Sequence, residues 1–404
     1  MLFSLAIIFL AGLSVAAISD KIGLPRIIGM LCVGIIVSPY VLDLLDSSVL
    51  GISAELRQIA LIIILIKAGL SLDLSDLKKV GRPAVMMSFV PACAEIAGYI
   101  IFAPMLLGVT RTEAALTGAV LSAVSPAVVV PRMVKLIEDR YGTGKSIPQM
   151  LLAGASCDDI FVIVLFSTFV TMAQGGTAKI SSLLNIPVSA LLGVLLGALT
   201  GTVLYMIFES AYTRHKHIRN STKVIIILGC SFMLMSAETF AKPYIPLSGL
   251  LAVVSMACVI KLRADRNVSS RLSQKFGKLW LAAEVVLFVL VGAAVDVRYT
   301  LAAGASALLM IFIALSFRAL GVILCLLGTE LSAKERLFCI IAYLPKATVQ
   351  AAIGSVPLSL GLPCGKIILS VAVLAIVITA PLGAIGIDRT YRLFLQHEET
   401  NPSE

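Results

Sequence analysis

From its second residue almost to its end, the chain is a succession of apolar runs about twenty residues long, separated by short polar connections. A helix of about 20 apolar residues matches the hydrocarbon thickness of a bilayer. Backbone polar groups find no water there, so only helices and closed barrels span it. The strict alternation of barrel strands is absent, which leaves an all-α polytopic membrane protein. Composition agrees: 59% of the 404 residues are hydrophobic and 14% charged, against about 45–50% and about 25% in soluble domains. Mean hydropathy is +1.03. An ordinary soluble enzyme, a disordered chain and a disulfide scaffold are excluded. The eight cysteines form no CxxC, so neither a zinc site nor a disulfide framework is expected. Cys157 reads as a small buried apolar side chain.

Thirteen spans are expected, near 2–18, 26–45, 54–73, 83–107, 112–134, 148–172, 182–207, 222–240, 245–262, 277–297, 300–326, 333–356 and 364–387. Residues 1–18 lack the basic start of a signal peptide and read as a mature first helix. With connections placed alternately on two sides, one side holds Arg57, Arg111, Lys179, Lys242, Arg298 and Lys366. The other holds 23 basic residues, among them Lys78, Lys79, Arg82, Arg132, Lys135, Arg140, Lys145 and the cluster Lys261, Arg263, Arg266, Arg271, Lys275, Lys278. The positive-inside rule then puts the N-terminus outside and the C-terminus in the cytoplasm, with a bacterial inner membrane as the expected location. The same loops explain the net charge of +9 without a nucleic-acid partner.

The chain also repeats itself. Residues 62–74, IIILIKAGLSLDL, resemble 285–297, VVLFVLVGAAVDV, which sets Gly69 on Gly292 and Asp73 on Asp296. LPRIIGML at 24–31 resembles IPLSGLL at 245–251, with Gly29 on Gly249. Residues 113–131 resemble 335–353, with Glu113 near Glu335 and Pro126 near Pro345. Six spans followed by a crossing linker force the second copy upside down, as in secondary transporters. The expected division is residues 1–181 for the first inverted repeat, 182–221 for a linker helix, 222–387 for the second repeat and 388–404 for a short cytoplasmic tail.

Charges at bilayer depth cost at least about 2.5–3.5 kcal/mol each. The candidates are Lys67, Glu95, Asp158, Asp159, Glu284, Arg318 and Lys346. Asp158-Asp159 lies deep in MLLAGASCDDIFVIVLF with no cation nearby in sequence. Two adjacent carboxylates in a low dielectric repel each other and lose hydration. They favour a bound proton or a small hard cation, and the competition between these is itself an exchange mechanism. The fifth and twelfth spans each carry a mid-span proline, Pro126 in AVSPAVVVP and Pro345 in YLPKATVQAA. Proline breaks a helix, and a break at depth lines a cavity or is buried in protein. Matched breaks in two repeats point to an ion site. Freed carbonyls near Ala123–Ser125 and the Ser125 hydroxyl are candidate cation ligands. Lys346 stands at the second break, placed to neutralise carbonyl ends or an Asp. Glu95 and Arg318 sit 223 apart, the repeat offset, and are expected to form an intramembrane salt bridge. Lys67 and Glu284 carry no clear assignment.

Three motifs read as decoys. DRYGTGKS at 139–146 ends like a P-loop, but Asp139 replaces its first glycine and a helix precedes it instead of a strand. His215-Lys216-His217 reads as a solvated basic loop, and Asn220-Ser221-Thr222 as a glycosylation pattern on the cytoplasmic side. No cofactor, nucleotide or enzymatic activity is expected.

On the Asp158-Asp159 pair, the Ser125-Pro126 break, LPKATVQAA at 344–352 and VLFVLVGAAVD at 286–296, nearly the whole chain resembles the cation:proton antiporter superfamily. The branch is that of bacterial sodium/proton antiporters, Kef-type potassium transporters and animal NHA exchangers. The resemblance implies a homodimer, a core with two crossed broken helices, and elevator-like alternating access. It also implies that Asp159 is the main sodium (or lithium) ligand and that Asp158 assists it or pairs with a cation. Electrogenic bacterial members often carry Lys where Arg318 falls. Arginine does not give up its proton, so Glu95-Arg318 resembles the animal NHA pattern and favours electroneutral exchange. Potassium/proton exchange or Kef-like efflux is the near alternative, although Kef-type proteins usually add a nucleotide-binding domain. An ion channel or a partner-dependent sensor are more distant ones.

Overall fold

The computed structural model describes residues 1–71, 81–174, 180–213, 218–241, 245, 247–296 and 304–398. The expectations that involve Asp73, Lys78, Lys79, Lys179, Lys242, Arg298 and His215-Lys216-His217 lie outside the described residues. The first stretch holds α1 (Leu2–Lys21), α2 (Arg26–Val37), α3 (Ser47–Gly51) and α4 (Ser53–Ser71). Next come α5 (Arg82–Met87), α6 (Val90–Leu107), α7 (Arg111–Leu121), α8 (Pro126–Glu138) and α9 (Ile147–Gln174). Then follow α10 (Ile180–Thr213), α11 (Asn220–Ala241), α12 (Gly249–Arg263) and α13 (Arg266–Ala293). The chain continues with α14 (Gly304–Cys325), α15 (Ala333–Ala342), α16 (Thr348–Gly354), α17 (Val356–Ser359) and α18 (Gly365–Phe394). Among the described residues, nine helical stretches are long and apolar enough to cross a membrane.

Several expected spans differ from the observed helices. The second ends at Val37, not near 45, because Ser38 precedes Pro39 and is extended, with ψ 160°. The fourth is interrupted at Ser88-Phe89 between α5 and α6. Pro91 is the cause, since its ring clashes with the carbonyl four residues back, that of Met87. The tenth starts early: α13 begins at Arg266, so much of the basic cluster expected in a loop is helical. Beyond 388 the described residues reach Glu398. Helix α18 runs to Phe394, Leu395 is buried, and 395–398 pairs with the 139–146 turn.

The chain packs as two compact units, each drawing on both halves of the sequence. The first comprises Met1–Ala54, Asp73–Val162 and Phe288–Glu404; the second comprises Glu55–Leu72 and Ile163–Leu287.

In the second unit, Gly193, Gly197 and Gly201 let α10 lie against the backbone of α12 at Ser248, Ala252 and Met256. Small residues at four-residue spacing allow such close crossings. Gly69 on α4 meets Val254, Ala257 and Cys258 of α12.

In the first unit, Gly292 on α13 meets Leu31, Gly34 and Ile35 of α2. Each member of this contact lies 223 residues from its counterpart around Gly69. Likewise α2 crosses α1 with Gly29 against Val15 and Ser19, and α12 crosses α11 with Gly249 against Leu234 and Met235. Helices α7 and α15 both open on a capping box, Thr110 with Glu113 and Ser332 with Glu335.

At one end of the first unit, Lys145 Nζ donates to Glu335 Oε2 (2.8 Å) and to the Glu330 carbonyl (3.1 Å). At the same turn, Gly142 N–H donates to Gln396 O at 2.8 Å, and Glu398 N–H to Arg140 O at 3.1 Å. The alternating count also places these three connections on one side.

Candidate functional site

The site is built on two interruptions in the first unit, where backbone groups lose their helical partners and must find others. Helix α7 stops at Leu121, and Pro126 starts α8 at the position where a missing N–H costs nothing. Ser125, ahead of the proline, is extended with ψ 109°. Helix α15 stops at Ala342 and the chain resumes helix at Thr348, past Pro345. The two interruptions touch, since Ser125 N–H donates to Pro345 O at 2.8 Å.

Arg318, fully buried on α14, joins both carbonyl ends. Its Nε donates to Tyr343 O at 2.6 Å, and its Nη1 to Ser122 O. Nη1 also donates to Glu95 Oε2 at 2.9 Å, and Nη2 to Asp158 Oδ2 at 3.3 Å. The Tyr343 ring centroid lies 5.1 Å from the guanidinium carbon, and the Tyr343 hydroxyl donates to Met87 O at 3.0 Å. That carbonyl is the one exposed by the interruption before Pro91.

Lys346, also buried, sends Nζ to Glu95 Oε2 at 2.6 Å, while its N–H donates to Thr379 Oγ1 at 2.9 Å. Its direct hydrogen-bond partner is thus Glu95. Arg318 takes the carbonyl ends, because a planar fork with five donors can address several acceptors at once.

Of the two aspartates on α9, Asp158 is engaged. Its Oδ2 accepts from Val124 N–H at 2.8 Å and from Arg318. The pair with no cation nearby in sequence thus has one in space. Glu95, Asp158, Arg318 and Lys346 make two negative and two positive groups, a balanced buried cluster. Burying such a set is tolerable only when every charge has a partner. Asp159 stands outside that balance. Its Oδ1 is buried without a hydrogen-bond partner, as are Asp158 Oδ1 and the Ser125 hydroxyl; unlike Asp158, Asp159 has no cation against it among the described residues.

Of the carbonyls at Ala123–Ser125, Ala123 O accepts from Gln350 Nε2 at 2.7 Å and Ser125 O from the Val128 and Val129 N–H groups. Ser122 O, just before them, goes to Arg318. Gln350 Oε1 in turn accepts from Ala347 N–H at 2.8 Å, so one amide closes a gap at each interruption.

Sequence reasoning missed Gln350, Tyr343, Thr379 and Ser122. An amide mid-span, costly to bury without partners, was the available signal for Gln350. Lys67 and Glu284 belong to the second unit, where Lys67 Nζ lies 5.8 Å from the Trp280 ring centroid. They are not among the residues gathered here.

Residues 5–392 match the family described as sodium/hydrogen exchanger, transmembrane. Sodium/hydrogen exchanger 9B2 of Mus musculus is 32% identical over 395 residues, covering 94% of this chain and 70% of its own length. The Homo sapiens 9B2 protein is 33% identical over 375 residues, covering 90% and 68%. In fold, the chain is similar to the sodium proton antiporter MjNhaP1 of Methanocaldococcus jannaschii at pH 8. The TM-score is 0.77 at 21% identity, with 96% of this chain and 97% of that one covered. An integral membrane protein of all-helical build, with a balanced charge cluster at two helix breaks and one carboxylate left over, this chain belongs to the sodium/hydrogen exchanger transmembrane family within the cation:proton antiporter superfamily.

Proposed function

We propose that the chain exchanges a monovalent cation, sodium or lithium in first place, for protons, with Asp159 as the shared ligand. One observation carries this reading: two cations already pair with Glu95 and Asp158, while Asp159, buried beside them, makes no ion pair among the described residues. A lone carboxylate in a low dielectric favours a proton or a small hard cation over a bare charge. The Ser125 hydroxyl, also without a partner, is the second ligand in this reading. Similarity to proteins named sodium/hydrogen exchangers supports sodium as the first ion to try.

With one free carboxylate, one proton leaves for each cation bound, and exchange is electroneutral. In the same proposal, thirteen passes form two inverted repeats with the N-terminus outside, and a homodimer works by elevator-like alternating access. The glycine contacts repeated at an offset of 223 support the repeats. The dimer and the elevator rest on family resemblance.

The test uses proteoliposomes with an imposed proton gradient and an internal pH dye. Sodium and lithium should dissipate the gradient with the wild type and leave it intact with Asp159→Asn. An Asp159→Asn variant as active as wild type would remove Asp159 from its role, and response to potassium alone would change the cargo. A sodium-dependent current across a planar membrane would refute the one-for-one stoichiometry.

A further inference from the structure

We propose that Gln350 sets which monovalent cation the site prefers, by keeping the Ala123 carbonyl out of the ion's coordination shell. The inference rests on the exchange reading above and adds a selectivity determinant to it.

Gln350 is fully buried on α16. Its Nε2 donates to Ala123 O at 2.7 Å and lies 3.5 Å from Leu121 O, while its Oε1 accepts from Ala347 N–H. Ala123 belongs to the first interruption, two residues before the unpartnered Ser125 hydroxyl and next to Val124, whose N–H holds Asp158. Its carbonyl is therefore a neutral oxygen ligand one peptide from the site, held by a neutral hydrogen bond. The neighbouring Ser122 carbonyl is held by the Arg318 charge, a stronger restraint. At offsets of 219 to 223, which cover the alignments above, the positions matching Gln350 are Ala127 to Pro131, none of which carries an amide, so the device exists at one interruption only.

Hard cations bind oxygen, and larger ones take more ligands in looser geometry. Discrimination among alkali cations follows the number and field strength of the available oxygens. With Gln350 in place the ligand set is small and favours the smaller cation. Without its donor the Ala123 carbonyl can turn to the ion, and preference moves to the larger one.

The experiment compares wild type, Gln350→Met and Gln350→Asn in proteoliposomes, titrating lithium, sodium and potassium against a fixed proton gradient. Methionine keeps the volume without the amide; asparagine keeps the amide but is one methylene too short to span both gaps. Both variants should shift the ratios of half-saturating concentrations toward the larger cation by about twofold to tenfold, the range of one neutral hydrogen bond. If the methionine variant does not give a monodisperse, folded protein, the asparagine variant decides. Half-saturating concentrations that change by one common factor, or a fall in maximal rate alone, would make Gln350 a packing residue and overturn the inference. Wild type that exchanges no cation would overturn the antiport reading and this inference together. Normal wild-type exchange with unchanged ratios in the variants overturns only this inference.

Discussion

The two interruptions, at residues 122–125 and 343–347, begin alike and end differently. Each follows a helix opened by a capping box, and each sends a carbonyl to Arg318. Beyond them, Pro126 starts a helix of 13 residues, whereas Thr348 starts one of 7 whose Gln350 reaches back across both gaps. The capping boxes and the carbonyls given to Arg318 recur at both interruptions; the side chains beyond them do not. In the proposed inverted-repeat arrangement positions 95 and 318 would meet across a two-fold, where identical residues would press Glu against Glu or Arg against Arg. Glu95 with Arg318 makes that contact a bond instead. At the same offset Asp158 and Asp159 correspond to Pro381 and Leu382 of α18, so only one of the two matching helices carries a carboxylate pair.

The strongest way to break this comparison is to strip its charges. Arg318→Ala takes the cation from Asp158, one of two from Glu95 and the donor from two carbonyl ends, and Glu95→Ala leaves two buried cations with one partner fewer. Each should cost about 3–5 kcal/mol, with Arg318→Ala the larger, read as thermal unfolding in detergent. Equal stability of Glu95→Ala and wild type would count against the bridge. The exchanged pair Glu95→Arg with Arg318→Glu should recover stability over either reversal alone yet stay inactive, since Asp158 loses its cation.

Glycine crossings sharpen the comparison next. Gly69→Ala and Gly292→Ala should each destabilise by about 1–3 kcal/mol through overpacking. Gly292→Ala should be the worse, because its new methyl meets backbone at Leu31, Gly34 and Ile35, whereas at Gly69 one of the neighbours is the Ala257 side chain. The opposite order in a denaturant titration would mean that backbone contact at Gly292 does not decide the cost.

The caps give a smaller effect. Thr110→Ala and Ser332→Ala should each cost about 1 kcal/mol. Glu335→Gln should exceed Glu113→Gln, because Glu335 also holds Lys145. Smallest of all is the Arg132-Asp388 pair, at 3.0 Å with Asp388 more than half exposed. Arg132→Gln should change stability by less than about 1 kcal/mol, measurable only beside the wild type in the same titration.

What could be read from sequence had a strong local signature. A carboxylate pair within an apolar run, prolines in mid-span and charges spaced at the repeat offset all violate the rules of a spanning helix. The interruption at Ser88-Phe89 also has a signal, Pro91 at the ninth residue of the expected span 83–107 and beyond the first turn that tolerates proline. Gln350, Tyr343 and Thr379 carry no charge, and their importance comes from partners 25 or more residues away. Arg318 was paired with Glu95 on spacing, but its reach to Asp158, Ser122 and Tyr343 depends on which helices cross, a property of three dimensions. The same limit hid the destination of Lys346.

The pairing of residues 395–398 with the turn at 140–142 has a practical side for anyone who engineers this chain. Leu395 is 5% exposed and lies against Gly142, and the Thr143 hydroxyl donates to Glu398 Oε2 at 2.7 Å. A truncation placed before Leu395 would remove a plug from the hydrophobic interior, not trim a dangling end. A fluorescent reporter spliced directly at Glu398 would start from an anchored point beside the α8–α9 turn, and would need its own spacer to leave that turn undisturbed.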